Sequence, residues 1–332
     1  MSTFSVMASI LSEKELCHFI KEKYALSGEY KCKLFRSGVN HTYFMSGEKN
    51  QLVVRVYCHN WRSKIEIEQE LELLNLLKEH SLSVSWPIPD KEGNFIQAIH
   101  APEGLRYAVV FSFAEGQKMR FMSNQTCFSI GSLMAKIHSI TEQRRINRTD
   151  YNSETLLHQS YDLIKSFFSE ELDEMKFLKD ISRKISTRFE ESDLSENQNG
   201  IVHLDIWYDN LSVNQEDVIT IFDFDNCGNG PLILDVGYFC KQLFFIEADK
   251  QEYESKVNSF LDGYLQIRNL SNHELQLIPE SGAAIFIFYL GVQAKRFDWS
   301  NIFYSENYLK MFVGRIKGWI DYHESKKVTV NL

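Results

Sequence analysis

At 332 residues, 44% hydrophobic and 24% charged, the chain is long enough for two cores and has the balance of an ordinary soluble globular protein, which excludes collagen-like, coiled-coil and low-complexity classes. Its net charge of −9 argues against a nucleic-acid binder. Residues 1–114 carry 13 basic and 13 acidic side chains, so the whole acidic excess, 23 of the 36 basic against 32 of the 45 acidic residues, lies in the remainder.

The N-terminus, MSTFSVMASIL, lacks the basic and long apolar regions of a secretion signal. Ser12-Glu-Lys-Glu15 reads as a capping box that opens a helix to about Tyr24. The runs Lys31–Arg36, His41–Met45 and Gln51–Tyr57, parted by SGVN and SGEKN turns, read as an antiparallel sheet. From Trp61 to Glu79 the period is helical, with Ile67, Leu71, Leu74 and Leu77 on one face, and Pro87 and Pro89 end that region. Phe95–Ile99 and Tyr107–Phe113 are two more strands.

After Ala114-Glu-Gly116 the pattern turns helical, with segments at Phe128–Ile140, Leu156–Phe168, Leu234–Ile246, Tyr253–Ile267, Ile285–Arg296 and Tyr308–Tyr322. The acidic segment Glu170–Met175 reads as a solvated face, and Glu191–Gly200 as a polar connection. The longest apolar stretch, Gly282–Val292, has 11 residues, too few for a membrane span of about 20, and reads as a buried helix. A cytoplasmic protein with no membrane partner is expected. The six cysteines, matching no disulfide framework or zinc spacing, are expected to be reduced and mostly buried. The sheet-rich and helix-rich parts divide near residue 114, as a 1–114 N-lobe and a 115–332 C-lobe joined by a short hinge.

Ile201–Asp225, IVHLDIWYDNLSVNQEDVITIFDFD, sets two short apolar runs between clusters of acidic and amide side chains. A turn centred on Gln215–Val218 would oppose Asn210 and Asp223 across an antiparallel hairpin, close enough for an amide oxygen and a carboxylate to share one Mg²⁺. A slip of one residue breaks that pairing. Asp205, five residues before Asn210, is then placed to accept a proton from a substrate hydroxyl.

His203-Leu-Asp205-Ile-Trp-Tyr-Asp-Asn210 followed by Ile221-Phe-Asp223 resembles the catalytic and metal loops of the kinase-like phosphotransferases, which include aminoglycoside phosphotransferases, type II homoserine kinases, choline kinases and a bacterial stress-response protein kinase. Phe222–Phe239 and Gly131–His138 are similar to further segments of that superfamily, and Leu34–Phe44 to its degenerate phosphate loop. The resemblance spans most of residues 30–240. It implies an α+β fold, a bilobal protein-kinase-like arrangement with a small antiparallel-sheet N-lobe and a larger, mainly helical C-lobe. It also implies ATP and Mg²⁺ as cofactors. Asp205 is implied as the catalytic base or hydroxyl-orienting residue, and Asn210 and Asp223 as metal ligands. Asp225 is either a second metal ligand or a cap for the next loop. Asp235 supports the catalytic loop, and His203 buttresses it. Arg55 stands where the superfamily reaches the ATP phosphates, and a helix carboxylate should pair with it, Glu70 by spacing or Glu66 one turn earlier. Gly38 and Asn40 fall in the phosphate loop. Ser112–Ala114 fall where the backbone contacts adenine. Two departures stand out: Leu204 replaces a usual glycine, and Trp207-Tyr208 is bulkier than the usual pair.

The expected activity is transfer of the ATP γ-phosphoryl group to a hydroxyl of a small molecule, with ATP between the lobes and the acceptor on the acidic C-lobe; the charge suits an aminoglycoside-like or other cationic alcohol. Two other readings share these residues: a protein Ser/Thr kinase of the stress-response type, and a nucleotide-binding pseudokinase. The three intact site residues argue against the pseudokinase.

Overall fold

The structure, a computed structural model, describes residues 4–48, 50–192, 198–297 and 304–330. The chain forms two compact units, one built by the chain up to Glu115 and the other by Gly116–Lys295 with the C-terminal helix. Residues 1–3, Lys49 of the SGEKN turn and residues 193–197 of the polar connection lie outside the described residues.

In the first unit, α1 (Glu13–Lys23) starts at Ser12, whose hydroxyl accepts from the Glu15 N–H. Only this half of the expected capping box forms. Glu13 instead accepts from the Leu34 N–H and ties the helix to the sheet. Strands β1 (Tyr30–Ser37), β2 (Asn40–Gly47) and β3 (Gln51–Tyr57) form an antiparallel meander. Helix α2 (Lys64–Glu79) follows, with Ser63 and Glu66 closing a reciprocal capping box. It ends at Glu79 without help from proline. Pro87 lies instead in a two-residue strand, β4 (Pro87–Ile88), which the sequence reading missed. The hairpin β5 (Ile96–Ala101) and β6 (Gly104–Ser112) completes the sheet, whose order is β1-β2-β3-β6-β4 with β5 also paired to β6. One face of the sheet and α1 bury Ile20, Tyr43, Met45, Val54, Val56, Ala108 and Val110.

The second unit contains α3 (Asn124–Thr141), a π-helical turn at Glu154–His158 that runs into α4 (Gln159–Lys165), and α5 (Asp173–Glu191). Next come β7 (Asn199–Val202), β8 (Leu211–Val213), β9 (Ile219–Ile221) and β10 (Gly228–Pro231), paired as two antiparallel ribbons, β7 with β10 and β8 with β9. Helices α6 (Ile233–Ile246), α7 (Lys250–Leu265), α8 (Asn272–Gln276), α9 (Ile278–Lys295) and α10 (Glu306–Val330) close the fold. The apolar stretch Gly282–Val292 is the centre of α9 and is almost wholly buried. Among the described residues no helix is long and apolar enough to cross a membrane. All six cysteines are free, and all but half-buried Cys17 are buried.

Helix α5 is absent from the sequence reading, which took its approach as a solvated acidic face. Met175, Leu178, Ile181 and Ile185 bury a clear helical stripe there. The signal was present, but the surrounding charge masked it.

Candidate active site

The loop after β7 is held from beneath by one carboxylate. Asp235, in the first turn of α6 and 1% exposed, accepts from the backbone N–H of His203 (2.8 Å) and of Leu204 (2.6 Å). His138 on α3 braces Asp235 through Nε2 (3.1 Å) and accepts at Nδ1 from the Tyr264 hydroxyl (2.7 Å). This grip holds Leu204 at φ +65°, in the left-handed region that glycine enters freely. The side chain is fully buried, and its carbonyl accepts from the Tyr289 hydroxyl at 3.2 Å. A buried leucine thus stands where the superfamily has glycine, with backbone strain on the order of 1–3 kcal/mol opposed by its burial.

His203 is a spacer rather than a proton carrier. Its Nδ1 accepts from the Asp205 N–H (3.1 Å), so Nε2 bears the hydrogen and donates to the Phe222 carbonyl (3.2 Å). Burial pushes its pKa down and keeps the ring neutral.

Asp205 is half-buried, with both oxygens engaged. The Tyr238 hydroxyl of α6 donates to Oδ1 (2.7 Å), and the Asn210 amide donates to Oδ2 (2.7 Å) and to the Asp205 carbonyl (3.0 Å). Burial, then the nearby Asp223 carboxylate, pushes its pKa up to about 7, while the Tyr238, Tyr289 and Asn210 donors offset part of the rise. A fixed carboxylate near neutrality suits the handling of an alcohol proton. Tyr238 and Tyr289 were not singled out from the sequence, because nothing in a helical aromatic distinguishes a donor to a loop carboxylate from core packing.

The hairpin corrects one expectation. Leu211 opposes Ile221, Ser212 opposes Thr220 and Val213 opposes Ile219, one residue off the expected register. Asn210 therefore opposes Phe222, whose N–H donates to the Asn210 carbonyl at 3.1 Å, and does not oppose Asp223. The turn runs Asn214–Val218, with the Asn214 side chain accepting from two turn amides and Asp217 at φ +57°. Asp223 itself sits at φ +68°, so strand alternation no longer fixes its side chain, and its charge acts on both Asp205 and His203. With its amide nitrogen held by Asp205, Asn210 has Oδ1 as its remaining hard donor, and Asp223 adds a carboxylate. Two hard oxygens fit Mg²⁺, which takes few ligands from protein. Among the described residues no group of three or more His, Cys, Asp or Glu side chains forms a cation cage. Asp225, buried, lies on the 3₁₀ turn Phe224–Asn226, and its carbonyl accepts from Arg148. Trp207 and Tyr208 pack edge to face at 4.7 Å, and Lys118 pairs with Asp209 at 2.7 Å, which anchors the far side of the loop.

In the first unit, Arg55 of β3 meets fully buried Glu70 of α2 at 2.6 Å, and the Tyr57 hydroxyl donates to the other Glu70 oxygen at 3.0 Å. The Arg55 guanidinium lies 4.9 Å from the Phe111 ring centre. Glu66 caps α2 and pairs with Arg62 at 3.6 Å. Gly38, in the β1–β2 turn, is not an obligatory glycine: its φ is negative, and an added Cβ would approach nothing nearer than the Asn40 carbonyl at 3.9 Å. Asn40 opens β2, and its Oδ1 is buried without a hydrogen-bond partner among the described residues. Ser112, expected as a backbone contact, is bonded within its own unit. Its N–H donates to the Trp86 carbonyl (2.9 Å), and its carbonyl accepts from the Ser85 hydroxyl (2.6 Å). Ala114 follows in irregular, half-buried chain.

A family model described as "Phosphotransferase enzyme family" matches residues 31–270. A homoserine kinase of Agrobacterium fabrum is 25% identical over 87% of this chain and 86% of its own length. Among solved structures, an amicoumacin kinase in complex with AMP-PNP and Ca²⁺ superposes with a TM-score of 0.77 at 20% identity, covering 94% of each chain. A microcompartment-associated aminopropanol kinase gives a TM-score of 0.74 at 19% identity, covering 92% of this chain and 95% of its own. The fold is thus the α+β, kinase-like one. By the family match over most of its length, the chain belongs to the phosphotransferase enzyme family and is a phosphotransferase.

Proposed function

We propose that the protein transfers the γ-phosphoryl group of ATP to a hydroxyl of a small molecule, with Mg²⁺ as the companion ion. The observation that carries this reading is Asp205: a half-buried carboxylate fixed by Tyr238 and Asn210, with its pKa raised to about 7. Support comes from relatives and structural neighbours named for kinases of homoserine, amicoumacin and aminopropanol, all of them small molecules.

In this reading Asp205 aligns the acceptor hydroxyl and takes its proton as the bond from that oxygen to the γ-phosphorus forms and the bond from the γ-phosphorus to the β–γ bridging oxygen breaks, releasing ADP. Tyr238 and Asn210 hold the carboxylate so that no reorganisation is needed at that moment. Asn210 Oδ1 and the Asp223 carboxylate would hold the metal, which supplies neutralisation of phosphate charge. Arg55, aligned by Glu70, is a forked donor for phosphate oxygens, with Gly38 and Asn40 in the loop beside the phosphates. With Ser112 engaged inside its own unit, Ala114 is the better residue for a backbone contact to adenine.

Asp205→Asn keeps the shape and removes the base. It should lower kcat on the order of 10³-fold while ATP affinity, measured calorimetrically, stays within about twofold. Undiminished turnover in this variant would remove the assignment.

A further inference from the structure

The peptide between Leu204 and Asp205 is held at both ends, and both holds lead to the loop that carries Asp223. Its N–H donates to Nδ1 of His203 (3.1 Å), whose Nε2 donates to the Phe222 carbonyl (3.2 Å) just before Asp223. Its carbonyl accepts from the Tyr289 hydroxyl (3.2 Å), and the oxygen of that hydroxyl accepts from the Asn226 side-chain amide (3.2 Å) on the far side of Asp223. A peptide is a rigid plane, so fixing its two ends fixes the direction in which Asp205 leaves the chain.

Asn226 is a firm anchor. It ends the 3₁₀ turn Phe224–Asn226, its carbonyl accepts from the Tyr151 hydroxyl (2.7 Å), and the carbonyl of Asp225 accepts from Arg148. Tyr289 comes from α9 and packs on the rings of Tyr238 at 5.7 Å and Phe288 at 5.6 Å. A phenylalanine would pack there as well, so the hydroxyl is the part that packing does not explain. Both loops pass through a left-handed residue, Leu204 at φ +65° and Asp223 at φ +68°, and such residues persist only where their surroundings over-determine them. The Asp223 charge also acts on Asp205, and with no cation between them that repulsion spreads the loops. His203 opposes the spreading before Asp223, and the Tyr289–Asn226 contact opposes it beyond.

We propose that Tyr289 and Asn226 are positioning residues: their hydroxyl–amide bridge fixes the Asp205 loop at its working separation from the Asp223 loop, so that a metal ion meets a formed site. The inference rests on the proposed kinase reading of Asp205 and Asp223, and goes beyond it by assigning the spacing of the two loops to a contact made from α9. His203 is buried in the core, whereas Tyr289 and Asn226 are half-buried and can be changed without opening a cavity.

The test uses Tyr289→Phe, which keeps the ring and loses the hydroxyl, and Asn226→Leu, which keeps the size and loses the amide. Amide hydrogen exchange needs no turnover. Asn226→Leu alters the Asp223 loop, yet it should speed exchange of the Leu204–Asn210 amides about fivefold, the effect of losing one net hydrogen bond. Tyr289→Phe should speed exchange in both loops. At fixed ATP, the Mg²⁺ concentration that gives half of the ligand-induced rise in thermal midpoint should increase about fivefold in either variant, while the midpoint of the ligand-free protein changes little. ADP formation from Mg·ATP, with water as the acceptor, should fall about fivefold in each variant and no further in the double variant. Losses that multiply in the double variant, or exchange at Leu204–Asn210 unmoved by Asn226→Leu, would mean that Tyr289 acts on its own loop alone; they overturn the bridge and leave the kinase reading intact. A wild type that neither responds to Mg·ATP nor forms ADP, with exchange in the two loops still coupled, removes the kinase reading and leaves the bridge standing.

Discussion

At the level of single residues, the first unit contains an ion pair that is fully enclosed rather than a surface ornament. Glu70 has no exposed area, and Arg55 has little. A pair in this setting adds little net stability, but leaving one member unpaired costs about 3–5 kcal/mol. Glu70→Ala should therefore lower the unfolding free energy measured by urea titration by about 3–5 kcal/mol, and Arg55→Met combined with Glu70→Leu should recover most of it. Recovery without restored ATP binding would mark Arg55 as a nucleotide contact rather than a structural one. His41 of β2 gives a signature of a different kind. Burial, with Arg106 beside it (3.3 Å), holds its imidazole down to about 4, and Glu103 acts the other way. In the unfolded chain it titrates near 6.5. Between those values the unfolded state binds more protons, so this contribution to stability is complete above pH 6.5 and is lost as the pH falls toward 4. His41→Gln should flatten the fall in urea midpoint between about pH 6.5 and 4.5; an unchanged slope would assign the acid sensitivity elsewhere.

Helix α3 and helix α7 depend on small residues where they cross. A Cβ added to Gly131 would lie 2.0 Å from the Phe260 carbonyl oxygen, and one added to Gly263 would lie 2.0 Å from that of Phe128. Helix propensity alone favours alanine over glycine by about 1 kcal/mol, but overpacking against backbone costs about 1–3 kcal/mol or more and cannot be relieved by a rotamer. Gly131→Ala should thus destabilise. Gly314→Ala on α10 meets nothing within 4 Å, is exposed, and should stabilise by up to about 1 kcal/mol. The opposite signs, read from thermal midpoints, check the packing geometry; two changes of the same sign would refute it. Gly116 answers to a similar constraint at φ +111°, where a Cβ would sit 2.2 Å from the Val213 carbonyl oxygen. None of these contacts was legible in the sequence, since a glycine does not announce what lies against it. The elements themselves were. Strands β1 to β3, helix α2 and helices α6, α7, α9 and α10 follow the apolar period read from the chain. The β8–β9 register was not, because Asn214-Gln-Glu-Asp-Val218 lacks the Asn-Gly or Asp-Gly pair that fixes a two-residue turn. The chain closes a longer turn with the Asn214 side chain instead.

For the molecule as a whole, the residues of His203–Asp223 were legible as a set because their spacing is rare, and the family match covers the segment that carries them. Their support was partly legible: Asp235 was read as a brace for the loop, while the tyrosine donors were hidden among ordinary helical positions. The proposed binding of metal and nucleotide can be read from the stability of the folded chain. A ligand that binds only the folded state stabilises it by about 2.7 kcal/mol at a hundred times its dissociation constant. If Asn210 Oδ1 and Asp223 hold Mg²⁺ against the phosphates, ATP with Mg²⁺ should raise the thermal midpoint well above ATP with a chelator. Asp223→Asn would remove one of the two proposed protein ligands and the charge that, after burial, raises the Asp205 pKa. In that variant the difference between the two ATP conditions should collapse, while the midpoint without ligand changes little or rises, because the repulsion between two nearby carboxylates is gone. An Asp223→Asn protein that keeps its full Mg²⁺-dependent shift would place the ion elsewhere, even if Asp205→Asn still abolished turnover.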